Sequence, residues 1–186
     1  MPMTKLKFRE ESLRKIKNLN KNYSYNRNMK VNNKILEELK KIKNKKILFY
    51  YPLKMEIDVK KSLNILRRNN EIYIPFMEGE SFKMVLFRLP LKKKKFGIFE
   101  AGNSLKKIDK IDIAIVPIIG VDKNLQRVGF GKGMYDRFFE TLKKRPFTIF
   151  IQPEFCHTKE VICDSYDISC DILMTPKVRV INKRKK

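Results

Sequence analysis

The spacing of hydrophobic and polar positions changes along the chain, and each change marks a predicted element. Residues 5–20 carry Leu6, Leu13, Ile16 and Leu19 at helical spacing, and residues 28–43 repeat the stripe with Val31, Ile35, Leu39 and Ile42. A short apolar run, residues 47–51, reads as a buried strand closed by Pro52. Residues 55–59 lead into a third helical pattern through Leu63 and Leu66. Residues 71–76 return to a strand pattern with Pro75 inside it, and residues 82–89 alternate enough for an added strand centred on 84–87. Residues 111–116 form a β-branched run that Pro117 stops. Residues 134–144 are helical up to Pro146, and residues 147–151 make another strand. Strands alternating with helices predict a three-layer α/β/α fold around a mainly parallel sheet.

At 186 residues the chain is expected to form one domain over 1–186, with a helical part over 1–45 and a basic tail over 182–186. No apolar run approaches the roughly 18 residues of a membrane span, so a cytoplasmic protein without a targeting segment is expected. Charge changes the picture more: 43 Lys+Arg stand against 20 Asp+Glu, a formal net charge of +23. Alone, that favours a nucleic-acid or acidic-membrane partner. The lysines are spread over the whole chain, however, with local runs at 92–95 and 183–186. There is no RNP-type motif, no zinc-finger spacing and no basic helix interleaved with aromatics. A proteome-wide lysine bias gives the same composition, and no specific nucleic acid is expected. Cys156, Cys163 and Cys170 recur every seven residues without a Cys-x-x-Cys pair, which excludes a disulfide framework and a standard zinc site. They are expected to be free, half-buried thiols, and His157, the sole histidine, a surface or packing residue.

Candidate chemistry centres on residues 127–136, Arg-Val-Gly-Phe-Gly-Lys-Gly-Met-Tyr-Asp, between a predicted strand and a predicted helix. Glycine lets a backbone approach a ligand closely, and successive amides at a helix N-terminus bind phosphate or carboxylate. Lys132 adds a mobile positive charge. The run is not a Walker loop, because Gly133 and Met134 follow Lys132, and it is not a dinucleotide fingerprint, whose third glycine would fall on Met134. A turn that merely reverses direction is the alternative. Lys5 and Arg9 lie four residues apart, on one face of the first helix, as a solvated basic face or an anion clamp. Glu56 stands after a predicted parallel strand, where open α/β sheets place ligands; it and Asp58 also suit the first turn of a helix. By themselves Asp136 reads as a helix-start charge and Asp171 as a strand-edge residue. With one histidine and no Ser/His/Asp or Cys/His arrangement, phosphoryl transfer fits best, since it relies on positioning and charge stabilisation.

The stretch Ile111-Asp-Ile-Ala-Ile-Val-Pro117, then Val121-Asp122, then Arg127-Val-Gly-Phe-Gly-Lys-Gly-Met-Tyr-Asp-Arg137 resembles the signature of the 5-formyltetrahydrofolate cyclo-ligases, also called methenyltetrahydrofolate synthetases. Fainter likenesses run through Glu56-Ile57-Asp58, Ile74-Pro75, Gly97-Ile98-Phe99-Glu100 and residues 165–175. The chain departs from the family pattern at Ala101, Ile118, Leu125, Phe130, Met134 and Tyr166. The resemblance implies an enzyme using ATP and Mg²⁺ to convert 5-formyltetrahydrofolate to 5,10-methenyltetrahydrofolate through a phosphorylated formyl group. It implies that Lys5, Arg9, Arg127, Gly129, Phe130, Gly131, Lys132, Gly133, Met134 and Tyr135 hold the nucleotide, with Lys132 and Arg127 catalytic. It further implies that Tyr51, Glu56, Phe130 and Met134 face the folate and that Asp136 and Asp171 hold magnesium. A monomer is expected. Two other functions stay open at this point: an RNA-binding protein whose glycine loop clamps a sugar-phosphate backbone, and a nucleotide- or folate-binding homologue with weak turnover.

Overall fold

The computed structural model describes residues 2–19, 21–93, 99–100 and 108–183. Thr4 opens α1 (Lys5–Lys17), its side chain accepting a hydrogen bond from Lys7 N at 3.2 Å. Arg14, Lys15 and Lys17 sit in the last turn, where the carbonyl end of a helix favours cations. A 3₁₀ turn (Lys21–Tyr23) leads into α2 (Ser24–Leu39). Periodicity places α2 four residues too late at both ends: Ser24 to Arg27 are polar and add nothing to the apolar stripe. At the far end Ile42 N bonds back to Leu39 O and Asn44 takes φ +57, so the chain turns before the lysine cluster.

Next come β1 (Lys46–Leu48), α3 (Lys60–Leu66), β2 (Glu71–Glu78) and β3 (Ser81–Leu86). They are followed by β4 (Lys92–Lys93), β5 (Phe99–Glu100), β6 (Ile113–Pro117), β7 (Gly120–Val121) and β8 (Arg127–Val128). The chain continues through α4 (Met134–Glu140), β9 (Phe147–Ile151), β10 (Ile172–Met174) and β11 (Arg179–Ile181). The third helix starts at Lys60, directly after the 55–59 segment that leads into it, and in that segment Glu56 accepts from Leu53 N and Asp58 from Lys60 N. α4 stops at Glu140, short of the predicted 144, because Thr141 N and Leu142 N close back onto Phe138 O and Phe139 O. Of the expected Gly97-Ile98-Phe99-Glu100 motif only Phe99 and Glu100 fall among the described residues, and residues 184–186 of the basic tail fall outside them.

Seven strands form one sheet in the order β11-β10-β9-β6-β1-β2-β3. The β1–β2, β1–β6, β6–β9 and β9–β10 pairs are parallel, and the edge strands β3 and β11 run antiparallel. Side chains alternate across the sheet. Ile47, Ile72, Ile113, Ile149 and Ile172 join Val31, Ile35 and Leu39 of α2 and Leu63 and Leu66 of α3 in one core. Leu48, Tyr73, Ala114, Phe150 and Leu173 join Phe138 of α4 in the other. The predicted three layers are present. α1 docks through Phe8 against Val128 and Cys156. Pro75 is tolerated inside β2 because pairing with β1 ends at Leu48↔Tyr73, two residues earlier.

The strand order reverses direction between β1 and β6. The chain leaves β1 for β2 on one side, whereas β6, β9 and β10 build outward on the other. Open α/β sheets form their crevice at the carboxyl ends of the strands flanking such a point.

Candidate active site

A cleft of about 740 Å³ opens at this reversal. Its floor is the segment after β1, with Tyr50, Tyr51, Leu53 and Glu56, together with Pro117 at the end of β6. One wall is the glycine loop between β8 and α4, contributing Arg127 and Phe130 to Tyr135. The facing wall is the β2–β3 hairpin, with Pro75, Met77, Gly79, Glu80 and Phe82. Residues predicted from distant stretches thus converge: Tyr51, Glu56, Arg127, Phe130, Gly131, Lys132, Gly133, Met134 and Tyr135 all line this space.

The loop is built around Arg127, which is 7% exposed. Its guanidinium lies 3.4 Å from Asp136 Oδ2, 3.4 Å from Pro117 O through Nε, and 5.0 Å over the Tyr135 ring. The chain crosses directly over this group at Gly129, where a Cβ would stand 2.5 Å from Arg127 Cζ. Arg9 reaches the loop from α1, donating from Nε to Gly129 O at 2.8 Å. Gly133 takes φ +59 to open α4, a conformation that disfavours a side chain. Lys132 is exposed, and among the described residues its ammonium meets no carboxylate. Phe130 is 42% exposed on the loop's crest, a flat face available to a ring.

Glu56 is held by its hydrogen bond from Leu53 N at 2.8 Å. Burial pushes its carboxyl up to about 7, against the opposing pull of that bond and of Arg127. Burial likewise drives the Tyr135 phenol far above its ordinary value, Glu56 adding to the shift and Arg127 opposing it. Glu56 therefore changes charge near neutrality while Tyr135 stays protonated.

Lys5 does not share Arg9's target, although both lie on one helix face. Its ammonium forms ion pairs with Asp167 and, at 3.3 Å, with Asp164. Partial burial pulls the Lys5 pKa down, but the hydrogen bonds and charges of Asp167 and Asp164 outweigh it and the pKa is raised.

Asp136 and Asp171, expected to hold magnesium together, each have their own protein partners. Asp136 is 7% exposed and accepts from Ile168 N at 3.3 Å besides facing Arg127. Asp171 precedes β10, level with the start of β9, and its carboxylate takes Thr148 N at 2.7 Å and Arg145 at 3.1 Å. Neither Asp136 nor Asp171 is among the residues lining the cleft. Asp167, next in the chain to the Ile168 whose N–H Asp136 accepts, gives its carboxylate to Lys5 and to the N–H of Asp164. Its signal in the sequence was the Tyr166-Asp167 pair, overshadowed by the stronger strand pattern after it. The wall residues Met77, Glu80 and Phe82 gave no signal, because nothing local shows that a hairpin tip will fold across a cleft.

Cys156 and Cys170 are buried and Cys163 half-buried, and all three are thiols outside any disulfide. His157 is exposed and stacks on Phe155 with ring centroids 5.7 Å apart. Among the described residues, no helix is long and apolar enough to cross a membrane.

Known proteins share this arrangement. The model of the 5-formyltetrahydrofolate cyclo-ligase family matches residues 3–176. A 5-formyltetrahydrofolate cyclo-ligase of Haemophilus influenzae is 28% identical over 112 residues, covering 55% of this chain and 60% of that protein. One from Mycoplasma pneumoniae is 25% identical over 130 residues, covering 70% and 72%. The solved structure of Aquifex aeolicus 5,10-methenyltetrahydrofolate synthetase superposes with a TM-score of 0.77 at 25% identity, covering 99% of this chain and 95% of that one. The corresponding Mycoplasma pneumoniae structure gives a TM-score of 0.73 at 22% identity, covering 94% of this chain and 100% of that one. With the matched region running through the floor of the cleft and both walls, the glycine loop among them, the chain belongs to the 5-formyltetrahydrofolate cyclo-ligase family.

Proposed function

We propose that this protein converts 5-formyltetrahydrofolate to 5,10-methenyltetrahydrofolate, using ATP with Mg²⁺ and passing through a phosphorylated formyl oxygen. The observation that carries the reading is the cleft itself: a glycine loop with a mobile lysine on one side and an aromatic, acid-bearing floor on the other. An amide oxygen is a poor leaving group and phosphate a good one, so phosphorylation makes ring closure possible. N10 attacks the activated carbon, the C–N bond forms, and the C–O bond breaks as phosphate departs.

The chain's residues divide the work. Loop amides and Lys132 hold the terminal phosphates, and Arg9 braces the loop through Gly129 O. Arg127 orders the loop and adds positive charge beneath it. Lys5 becomes a further clamp when it exchanges its aspartates for phosphate. Tyr51, Glu56, Phe130 and Met134 take the folate, and a protonated Glu56 can donate to a pterin acceptor. Asp136 is the donor proposed for magnesium, with Asp167, one residue before its hydrogen-bond partner Ile168, as the second: both offer hard carboxylate oxygens, and one or two suffice when phosphates and water complete the shell. Bound there, the ion would neutralise charge on the phosphate oxygens.

The test is absorbance of the methenyl product on mixing the protein with 5-formyltetrahydrofolate, ATP and Mg²⁺. Product that requires both ATP and the metal is expected. Binding of both ligands without product would make the chain a non-catalytic member. RNA binding that falls steeply with salt, without folate binding, would replace the reading altogether.

A further inference from the structure

The two walls of the cleft come from segments some fifty residues apart, and one side chain ties them together at the mouth. Arg137, in the last turn of α4, sends Nη2 to the carbonyl of Lys132 on the glycine loop at 2.6 Å. The same nitrogen donates to the carbonyl of Glu80 at the tip of the β2–β3 hairpin. Both carbonyls belong to residues that line the cleft, as does Arg137 itself. The backbone is shaped to admit this bridge: a Cβ on Gly133 would stand 2.9 Å from Arg137 Nη1, so the guanidinium occupies space that a side chain would take.

Behind the bridge the hairpin is already seated on α4. Phe82 of β3 stacks on Phe138 at 4.4 Å and meets Tyr135 edge-on at 5.0 Å. Ser81 Oγ donates to Met134 O at 3.5 Å. The start of β3 therefore has an apolar anchor, and the adjoining turn has the Arg137 bonds in addition. Among the described residues Arg137 forms no ion pair, and a guanidinium carries five N–H donors on a rigid plane. A side chain kept only for charge balance would face a carboxylate; this one faces two carbonyls from opposite walls.

We propose that Arg137 is a positioning residue that couples the two halves of the cleft, so that a nucleotide ordering the glycine loop also fixes the hairpin wall against the folate, and the reverse. The coupling rests on the function proposed above. It acts through a shared strut: whichever ligand arrives first bears the cost of ordering both walls, and the second binds more tightly. A lysine at this position keeps the charge but presents a single ammonium in place of the planar fork.

The experiment is calorimetric titration of the non-hydrolysable analogue AMP-PNP with Mg²⁺, without and with saturating 5-formyltetrahydrofolate. In the wild-type protein the folate is expected to tighten AMP-PNP about five- to tenfold. In Arg137→Ala and in Arg137→Lys the ratio is expected to fall toward one, while each ligand still binds alone. A wild-type ratio in Arg137→Ala overturns the proposal, as does a ratio of one in the wild type. Coupling kept in Arg137→Lys and lost in Arg137→Ala overturns the strut and assigns the effect to charge. Should Arg137→Ala fail to fold, Arg137→Lys decides alone. Wild-type protein that binds no 5-formyltetrahydrofolate sinks the functional reading and this proposal with it, a result distinct from binding without coupling.

Discussion

Gly129→Ala offers a test whose sign, and not only its size, follows from the geometry. Gly129 does not take a positive φ, so alanine meets no backbone objection there. At such a position the substitution ordinarily stabilises by about 0.4–1 kcal/mol, because the unfolded chain loses freedom. Here the new methyl would stand 2.5 Å from Arg127 Cζ and Nη2, inside van der Waals contact, and Arg127 is 7% exposed with little room to retreat. Overpacking of this kind costs about 1–3 kcal/mol. If the guanidinium swings away from Asp136, whose side chain is 10% exposed, the lost buried pair adds to that. Breaking such a pair by losing one partner costs about 3–5 kcal/mol, so a net loss near 3 kcal/mol is expected. For a chain of this size that lowers Tm by about 6–12 °C. Scanning calorimetry with urea unfolding reads it directly. In an Arg127→Ala background the same Gly129→Ala change should be neutral or stabilising, because the obstruction has gone. An unchanged or raised Tm for Gly129→Ala in the wild-type background would refute the packing argument.

Three further outcomes follow from the same site. Lys132→Ala should keep the wild-type Tm, since the side chain is exposed, yet lose about 10²–10³-fold in turnover; wild-type turnover would remove Lys132 from the mechanism. Glu56 has its folded pKa raised to about 7, above its unfolded value, so its penalty is absent in acid, grows as pH rises past the unfolded pKa and is complete above 7. Glu56→Gln should therefore gain stability relative to wild type between pH 5 and pH 8, by up to about 3 kcal/mol; parallel pH profiles from urea unfolding would show that the carboxyl is not desolvated. Asp171→Asn should lose about 1–2 kcal/mol by weakening the Thr148 and Arg145 contacts, without altering the magnesium dependence of AMP-PNP binding. Asp136→Asn and Asp167→Asn should weaken that dependence, and loss in Asp136→Asn and Asp171→Asn but not in Asp167→Asn would assign the ion to Asp136 and Asp171 instead.

The sequence made the layers legible because alternation and helical spacing record which face of an element is buried. The strands at 113–117 and 147–151 and the placement of Glu56 after β1 all follow from that record. The glycine loop was legible for a different reason, since few sequences need three alternating glycines unless a backbone must come close to something. What escaped was contact between residues distant in the chain. Lys5 and Arg9 share a helix face, but only the folded loops separate their targets into Asp167 and Gly129 O. Asp171 looked suitable by pattern, and it is the strand register, with Thr148 and Arg145 waiting at the start of β9, that takes it away from the site. Arg137 lay inside the motif and still gave no hint of its role, because one of its acceptors is a carbonyl fifty-seven residues away.

The grip of Arg9 on Gly129 O spans 120 residues of chain. During synthesis α1 emerges 120 residues before the backbone it must hold. At ribosomal rates of about 5–20 residues per second, that interval is on the order of 6–24 s. Through it Phe8 lacks Val128 and Cys156, the buried residues it packs against, so an early helix is left waiting for nascent chain still to come. The order of synthesis thus sets a schedule, in which the glycine loop cannot take its final form until the older helix returns to meet it.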